Sequence, residues 1–356
     1  MPSDASRKTK GEFRRSSHGR RSALLWLTSC SPALAHFTEV PLCRSPIRHD
    51  GSTATEPPLP RALGGSVRRR VGFETAVRLL EQGARPVSVP TTLGFPVLLR
   101  LIDERSVAFG AAVASAPRLD VQVPTCPEWT LLELVLHLGN AHRFWAATVA
   151  AGPADAPPAE TAWESAPPAP LEREALLAWS AACTKGLLSA LRESGPDRGC
   201  WTWWGGSQSP QTCGAVARRQ LLHVAVHTYD AQITLGAAQP LPDEAALDGV
   251  DEFLFTSCAT TGAWPHEPSA VDYHATEGRS WRLWLSADGA RTSRLTTPGT
   301  ISATAAGEDP NAADASLRGT ASELVLALYG RVPVGSLELD GDRRLFDLLL
   351  AWDPAE

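Results

Sequence analysis

The sequence predicts a multidomain α+β protein: a four-helix bundle followed by a smaller domain of short strands and helices. Three observations carry this. Between residues 97 and 235, four long stretches repeat apolar residues with helical spacing. From Leu241 onward the pattern changes to short β-type runs separated by Gly and Asp turns. Before residue 97 neither period is sustained.

Taken in order, the first helix covers Val97–Ala116, with Val97, Leu98, Leu101, Ile102, Val107, Ala108, Ala111 and Ala112 as its stripe. Val123–Trp129 contains Pro124 and Pro127 and is expected to be a loop. Thr130-Leu-Leu-Glu133 has the form of a capping box and opens a second helix to about Val149. Ala151–Pro170, rich in Pro and Ala, reads as a long loop, and Leu171–Ser194 as the third helix. Trp201-Thr-Trp-Trp204 with Gly205 and Gly206 is an aromatic loop that suits either a core or a pocket mouth. The fourth helix starts near Thr212 and runs to about Leu235.

Pro242 then opens a helix to about Phe255. Val271–Ala275, Trp281–Leu285, Arg294–Thr297 and Thr300–Thr304 are expected strands. Thr320–Tyr329 is helical, Leu337–Leu339 a short strand and Arg343–Ala351 a final helix. The expected division is therefore an extension at 1–96, a bundle at 97–238 and an α+β domain at 241–356.

Composition bounds the function. The 356 residues are 43% hydrophobic and 20% charged, a globular balance. Residues 1–97 hold 15 Lys and Arg against 7 Asp and Glu, whereas residues 98–356 hold 18 against 32. The part expected to fold is acidic, which argues against nucleic acid as a partner. No apolar run is long enough for a membrane span, so no membrane partner is expected. Residues 1–96 are rich in Arg, Ser and Pro and read as a disordered extension with one marginal helix at Phe73–Gln82. Arg14, Arg15, Arg20 and Arg21 before Ala23–Leu27, with Ala33-Leu34-Ala35, resemble a secretory leader, but Thr28–Pro32 breaks the apolar run. The seven cysteines are odd in number and form no CxxC, so reduced thiols and a cytoplasmic location are expected.

The chemistry concentrates on histidine. His223 and His227 lie four apart in the fourth helix and share one face. His137 lies on the stripe of the second helix with Leu134, Leu138 and Ala141. Alone it reads as a core histidine bonded to a carbonyl. Together the three would form a three-ligand metal site with open positions, the form of a catalytic rather than a structural metal. Bundles commonly build such sites from facing helices. Asp230, three residues past His227, can orient a ligand, hold an arginine or make a plain salt bridge. Cys126 suits a redox thiol or a small buried residue.

Several motifs in order carry a resemblance. Pro124-Thr-Cys-Pro-Glu-Trp129, Leu136-His-Leu138, Arg218-Arg219, Val226-His227 and Asp230 resemble the mycothiol-dependent maleylpyruvate isomerase family, part of the wider DinB-like metal-binding bundles. Arg318-Gly-Thr-Ala-Ser-Glu-Leu324 and Leu328-Tyr-Gly-Arg331 resemble its sterol-carrier-like C-terminal domain. The resemblance covers about residues 97–356. It implies metal ligands at His137, at position 223 and at His227, and a catalytic Arg331 that binds a substrate carboxylate. The family usually has Glu where this chain has His223. Three neutral imidazoles leave the full charge on the metal, and zinc is the default for them.

The implied activity is that of an isomerase or thiol transferase with a divalent metal and mycothiol. A thiolate would attack a conjugated double bond, allow rotation and then leave. The alternatives from other classes are a metal-dependent hydrolase that needs no thiol, and a non-catalytic protein that binds a small ligand.

Overall fold

A computed structural model of the chain describes residues 92–164, 169–295 and 312–353. The expected extension up to residue 91, the leader-like segment, the Phe73–Gln82 helix and the Thr300–Thr304 strand lie outside the described residues.

Four long helices build the first part: α1 (Phe95–Ser115), α2 (Leu131–Ala151), α4 (Arg173–Ser194) and α5 (Cys213–Thr234). A short α3 (Thr161–Glu164) interrupts what the composition suggested was all loop. Thr130 caps α2: its side chain accepts from the Glu133 N–H, and Glu133 accepts from the Thr130 N–H, a reciprocal pair. Thr212 caps α5 by accepting from the Ala215 N–H. Gly139 lets α2 and α4 approach closely, because a Cβ there would collide with the Trp179 ring.

The expected loop at Val123–Trp129 is instead a small hairpin. β1 (Gln122–Val123) pairs antiparallel with β2 (Cys126–Thr130). Pro127 is tolerated because a two-stranded ribbon leaves the outer edge of each strand without a ladder to feed. The hairpin lays Trp129 at the N-terminus of α2.

The second part starts with α6 (Asp243–Phe253), which ends in a π-helical turn at Leu254–Cys258. A five-stranded sheet follows: β3 (Ser269–Ala275), β4 (Ser280–Ser286), β5 (Gly289–Leu295), β6 (Ala315–Gly319) and β7 (Glu338–Gly341). Their order is β5-β4-β3-β6-β7, with only β3 and β6 parallel. The strand expected at Arg294–Thr297 begins earlier, at Gly289, because Ala290 and Thr292 face the core across β4. β6 escaped the sequence reading, since its five residues show little alternation beyond Ala315 and Leu317. α7 (Ala321–Leu328) and α8 (Arg344–Ala351) accompany the sheet.

α5 joins the two parts. Sixteen of its residues are buried, so it has no solvent face. Val216, Ala217 and Leu221 pack with α1, α2 and α4. Leu222, Ala225 and Val226 pack instead with Val250, Tyr273, Leu324 and Val325 of the second part. No helix among the described residues is long and apolar enough to cross a membrane.

Candidate functional site

α5 is buried all round yet carries Arg219, Gln220, His223, His227 and Asp230 inward. Such groups survive burial only when paired or bound to something. His223 Nε2 lies 3.1 Å from His137 Nε2 and 3.1 Å from His227 Nε2. One ring nitrogen from each of the three lies within 4.8 Å of the others, and all three side chains are buried. The structure thus brings together the three histidines singled out in the sequence, from two facing helices.

Asp230 also joins this cluster. His227 Nδ1 donates to Asp230 Oδ2 at 2.8 Å. Burial by itself raises the carboxyl pKa, but the Arg331 guanidinium and His227 overcome it and hold the group ionised, below the usual carboxylate range. An ionised Asp230 accepts, so His227 carries its proton on Nδ1 and turns its Nε2 lone pair toward the other two imidazoles. Thr125 Oγ1 donates to Asp230 Oδ1 at 2.6 Å.

The three rings are kept neutral. Burial, followed by His227 and other nearby charges, pushes His137 well below the ordinary histidine pKa. Burial does the same to His223 and lowers His227 against the opposing pull of Asp230. Neutral imidazole is the metal-binding form.

The residues fit a divalent metal. Bonds of about 2.0–2.1 Å in a tetrahedral zinc site set the nitrogens about 3.3 Å apart, close to the 3.1 Å separations here. His223 Nδ1 is buried without a partner among the described residues. Independently of that nitrogen, His223 Nε2 faces the Nε2 atoms of both His137 and His227, and one ring nitrogen can complete only one of those contacts with a proton, so the cluster is under-satisfied unless a cation sits among the three.

Arg331 enters from the second part, after α7. Its Nε and Nη2 donate to Asp230 at 3.0 and 2.8 Å, Nη2 also to Cys126 Sγ at 3.2 Å, and Nη1 to the Tyr329 carbonyl at 3.0 Å. It is buried and committed to Asp230 rather than presented as an open fork for a carboxylate. Cys126 is a buried thiol under that guanidinium. Trp129 roofs the cluster, its ring centroid 4.5 Å from that of His137. Trp129, Thr125 and Tyr329 were quoted in the sequence motifs without a role, and only proximity assigns them one.

Two family models match the chain in series. Residues 99–232 match the mycothiol maleylpyruvate isomerase N-terminal domain, and residues 244–348 match the MDMPI C-terminal domain. The chain belongs to the mycothiol-dependent maleylpyruvate isomerase family. It is accordingly an enzyme of a thiol-dependent isomerase family. The N-terminal match contains His137, His223, His227 and Asp230, and the C-terminal match contains Tyr329 and Arg331. Among solved structures, a crystal structure of a histidine-to-alanine mutant of the mycothiol-dependent maleylpyruvate isomerase is similar at 14% identity and a TM-score of 0.46. The match covers 70% of this chain and 93% of that one. No curated protein matches.

A fourth histidine of this isomerase-family chain, His142, has a different character. It is buried on α2, with Nδ1 3.1 Å from Thr184 Oγ1 and Nε2 unpartnered among the described residues. Burial, followed by the charge of His227, pushes its pKa down to about 4. The unfolded chain takes up this proton near pH 6.5 and the folded chain only near pH 4, so acidification favours unfolding within that window. His142 alone is expected to remove about 3 kcal/mol of stability between those pH values. Denaturant titrations of His142→Gln should show a pH slope shallower by about one proton. Equal slopes in the two proteins would place His142 in contact with solvent.

Proposed function

We propose that the enzyme holds a divalent metal, zinc by ligand type, on His137, His223 and His227. With mycothiol as thiol cosubstrate, it would isomerise or thiolate a small electrophilic substrate. The observation that carries this reading is the convergence of three neutral imidazole nitrogens with Asp230 behind one of them. When bound, the cation supplies Lewis acidity that keeps a thiol sulfur ionised near neutral pH.

The protein's own residues do the rest. Asp230 fixes the His227 tautomer and ring angle, as carboxylates behind ligating histidines do. Arg331 acts as a positioning residue, because its charge keeps Asp230 ionised in a buried place. Trp129 covers His137 and limits water on that side. The deciding measurement is metal content by plasma emission together with a mycothiol titration on the full-length protein. One metal per chain and turnover only with thiol are expected. Turnover without thiol would support the hydrolase reading. Metal-free protein that still binds small ligands would support the binding-protein reading.

The chain's departure at position 223 can be tested directly. His223→Glu restores the residue usual in the family and removes the unpaired Nδ1. It is expected to keep the metal and to move the pH–rate profile to higher pH, since a carboxylate removes one unit of charge from the site. Unchanged pH dependence with metal retained would mean that position 223 does not face the metal.

A further inference from the structure

A buried arginine stands beside the histidine cluster. Arg219 lies on α5 one turn before His223, on the same face. It is 6% exposed, and its charge bears on both His223 and His227. Its neighbour Arg218 is matched by two carboxylates, Asp248 at 3.0 Å and Asp251 at 2.8 Å. Among the described residues Arg219 has only the carboxylate of Glu252, at 3.4 Å. Its other bond is from Nη1 to the Tyr329 hydroxyl, at 2.8 Å. Among the described residues, Nε and Nη2 have no partner.

The pair is incomplete from the other side as well. Glu252 is 2% exposed, and among the described residues its Oε1 lacks a well-formed hydrogen bond, with only the Thr256 hydroxyl nearby to help. Burial raises its pKa, against the pull of Arg219, so it is a reluctant counter-ion. The guanidinium lies between aromatic faces, with Cζ 5.6 Å from the Trp203 ring centroid and 5.9 Å from that of Tyr329. Arginine clamped by rings, with its fork half used, has the donor geometry for a planar carboxylate. Tyr329 ties this place to the cluster: its hydroxyl meets Arg219 and its carbonyl meets Arg331.

We infer that Arg219, walled by Trp203 and Tyr329, binds the carboxylate of the electrophilic substrate and selects anionic over neutral electrophiles. This rests on the proposed thiol chemistry for the identity of the site, but not for the test. The role expected of Arg331 from the resemblance would then pass to Arg219, since Arg331 is held by Asp230.

The probe is succinate, a dicarboxylate that does not react, with the neutral succinamide as its control, titrated calorimetrically into the full-length protein as purified. Wild type is expected to bind succinate and to discriminate against succinamide. Arg219→Gln should weaken succinate about 10- to 100-fold, the loss of a charge-assisted pair, with metal content unchanged. Arg219→Lys, which keeps the charge but not the fork, should fall between. In turnover, Arg219→Gln should raise KM for a carboxylated electrophile far more than KM for its methyl ester. Equal succinate binding in wild type and Arg219→Gln would overturn the inference, as would wild type that does not distinguish succinate from succinamide. Thiol-independent wild type would sink the proposed function, while succinate binding would still decide the role of Arg219.

Discussion

Replacing His227 by Ala is expected to abolish metal binding at the proposed three-histidine site. The side chain is fully buried, it supplies one of three converging nitrogens, and among the described residues it alone of the three is held by a carboxylate. Two remaining imidazoles on different helices form no chelate comparable to the original. Loss of a residue that merely supports a ligand costs about 10–100-fold in metal affinity, and loss of the ligand itself should exceed that. Plasma emission analysis after gel filtration should find His227→Ala and His137→Ala nearly metal-free. Added imidazole should restore part of the metal to His227→Ala, because the vacated space matches it in shape. A variant that keeps its full metal content would remove that histidine from the ligand set.

Asp230→Ala should be the most destabilising change at the site. Asp230 is wholly buried and accepts from Thr125, His227 and both Nε and Nη2 of Arg331. Its removal leaves a guanidinium buried without its anion, which costs about 3–5 kcal/mol. It also frees the His227 ring, so metal affinity should fall about 10–100-fold. The two losses separate in a double variant. Asp230→Ala with Arg331→Met should regain much of the stability, because no unpaired charge remains, but none of the metal affinity, because His227 still lacks its anchor. Thermal melts and metal titrations on the three proteins check this. Stability unchanged in Asp230→Ala would contradict the buried pair.

Much of the site was legible because helices fix spacing. Position 223 to 227 is one turn, so a shared face follows from the sequence, and Asp230 follows from the same geometry. The capping box at Thr130 placed the start of α2 to within a residue, and with it His137. What the sequence could not show is what long-range packing decides. The bond from Arg331 to Asp230 spans a hundred residues, and periodicity says nothing about which donor a buried carboxylate receives. The resemblance pointed to Arg331 but not to its partners. Local rules also failed at Val123–Trp129, where two prolines suggested a loop and the pairing of Gln122 with Thr130 made a ribbon. β6 was missed because its register beside β3 is set by the sheet and not by its own five residues.

The way Tyr329 and Arg331 reach across from the sheet-bearing half has a consequence for modularity. A bundle expressed alone would keep all three histidines, yet its Asp230 would face an empty socket with no counter-ion and no Tyr329 carbonyl to seat one. The two halves therefore cannot be shuffled as independent cassettes. A chimera that borrows the helical half from one relative must inherit the matching Tyr329–Arg331 segment with it, and the boundary between them is a seam that recombination crosses only at the cost of the site.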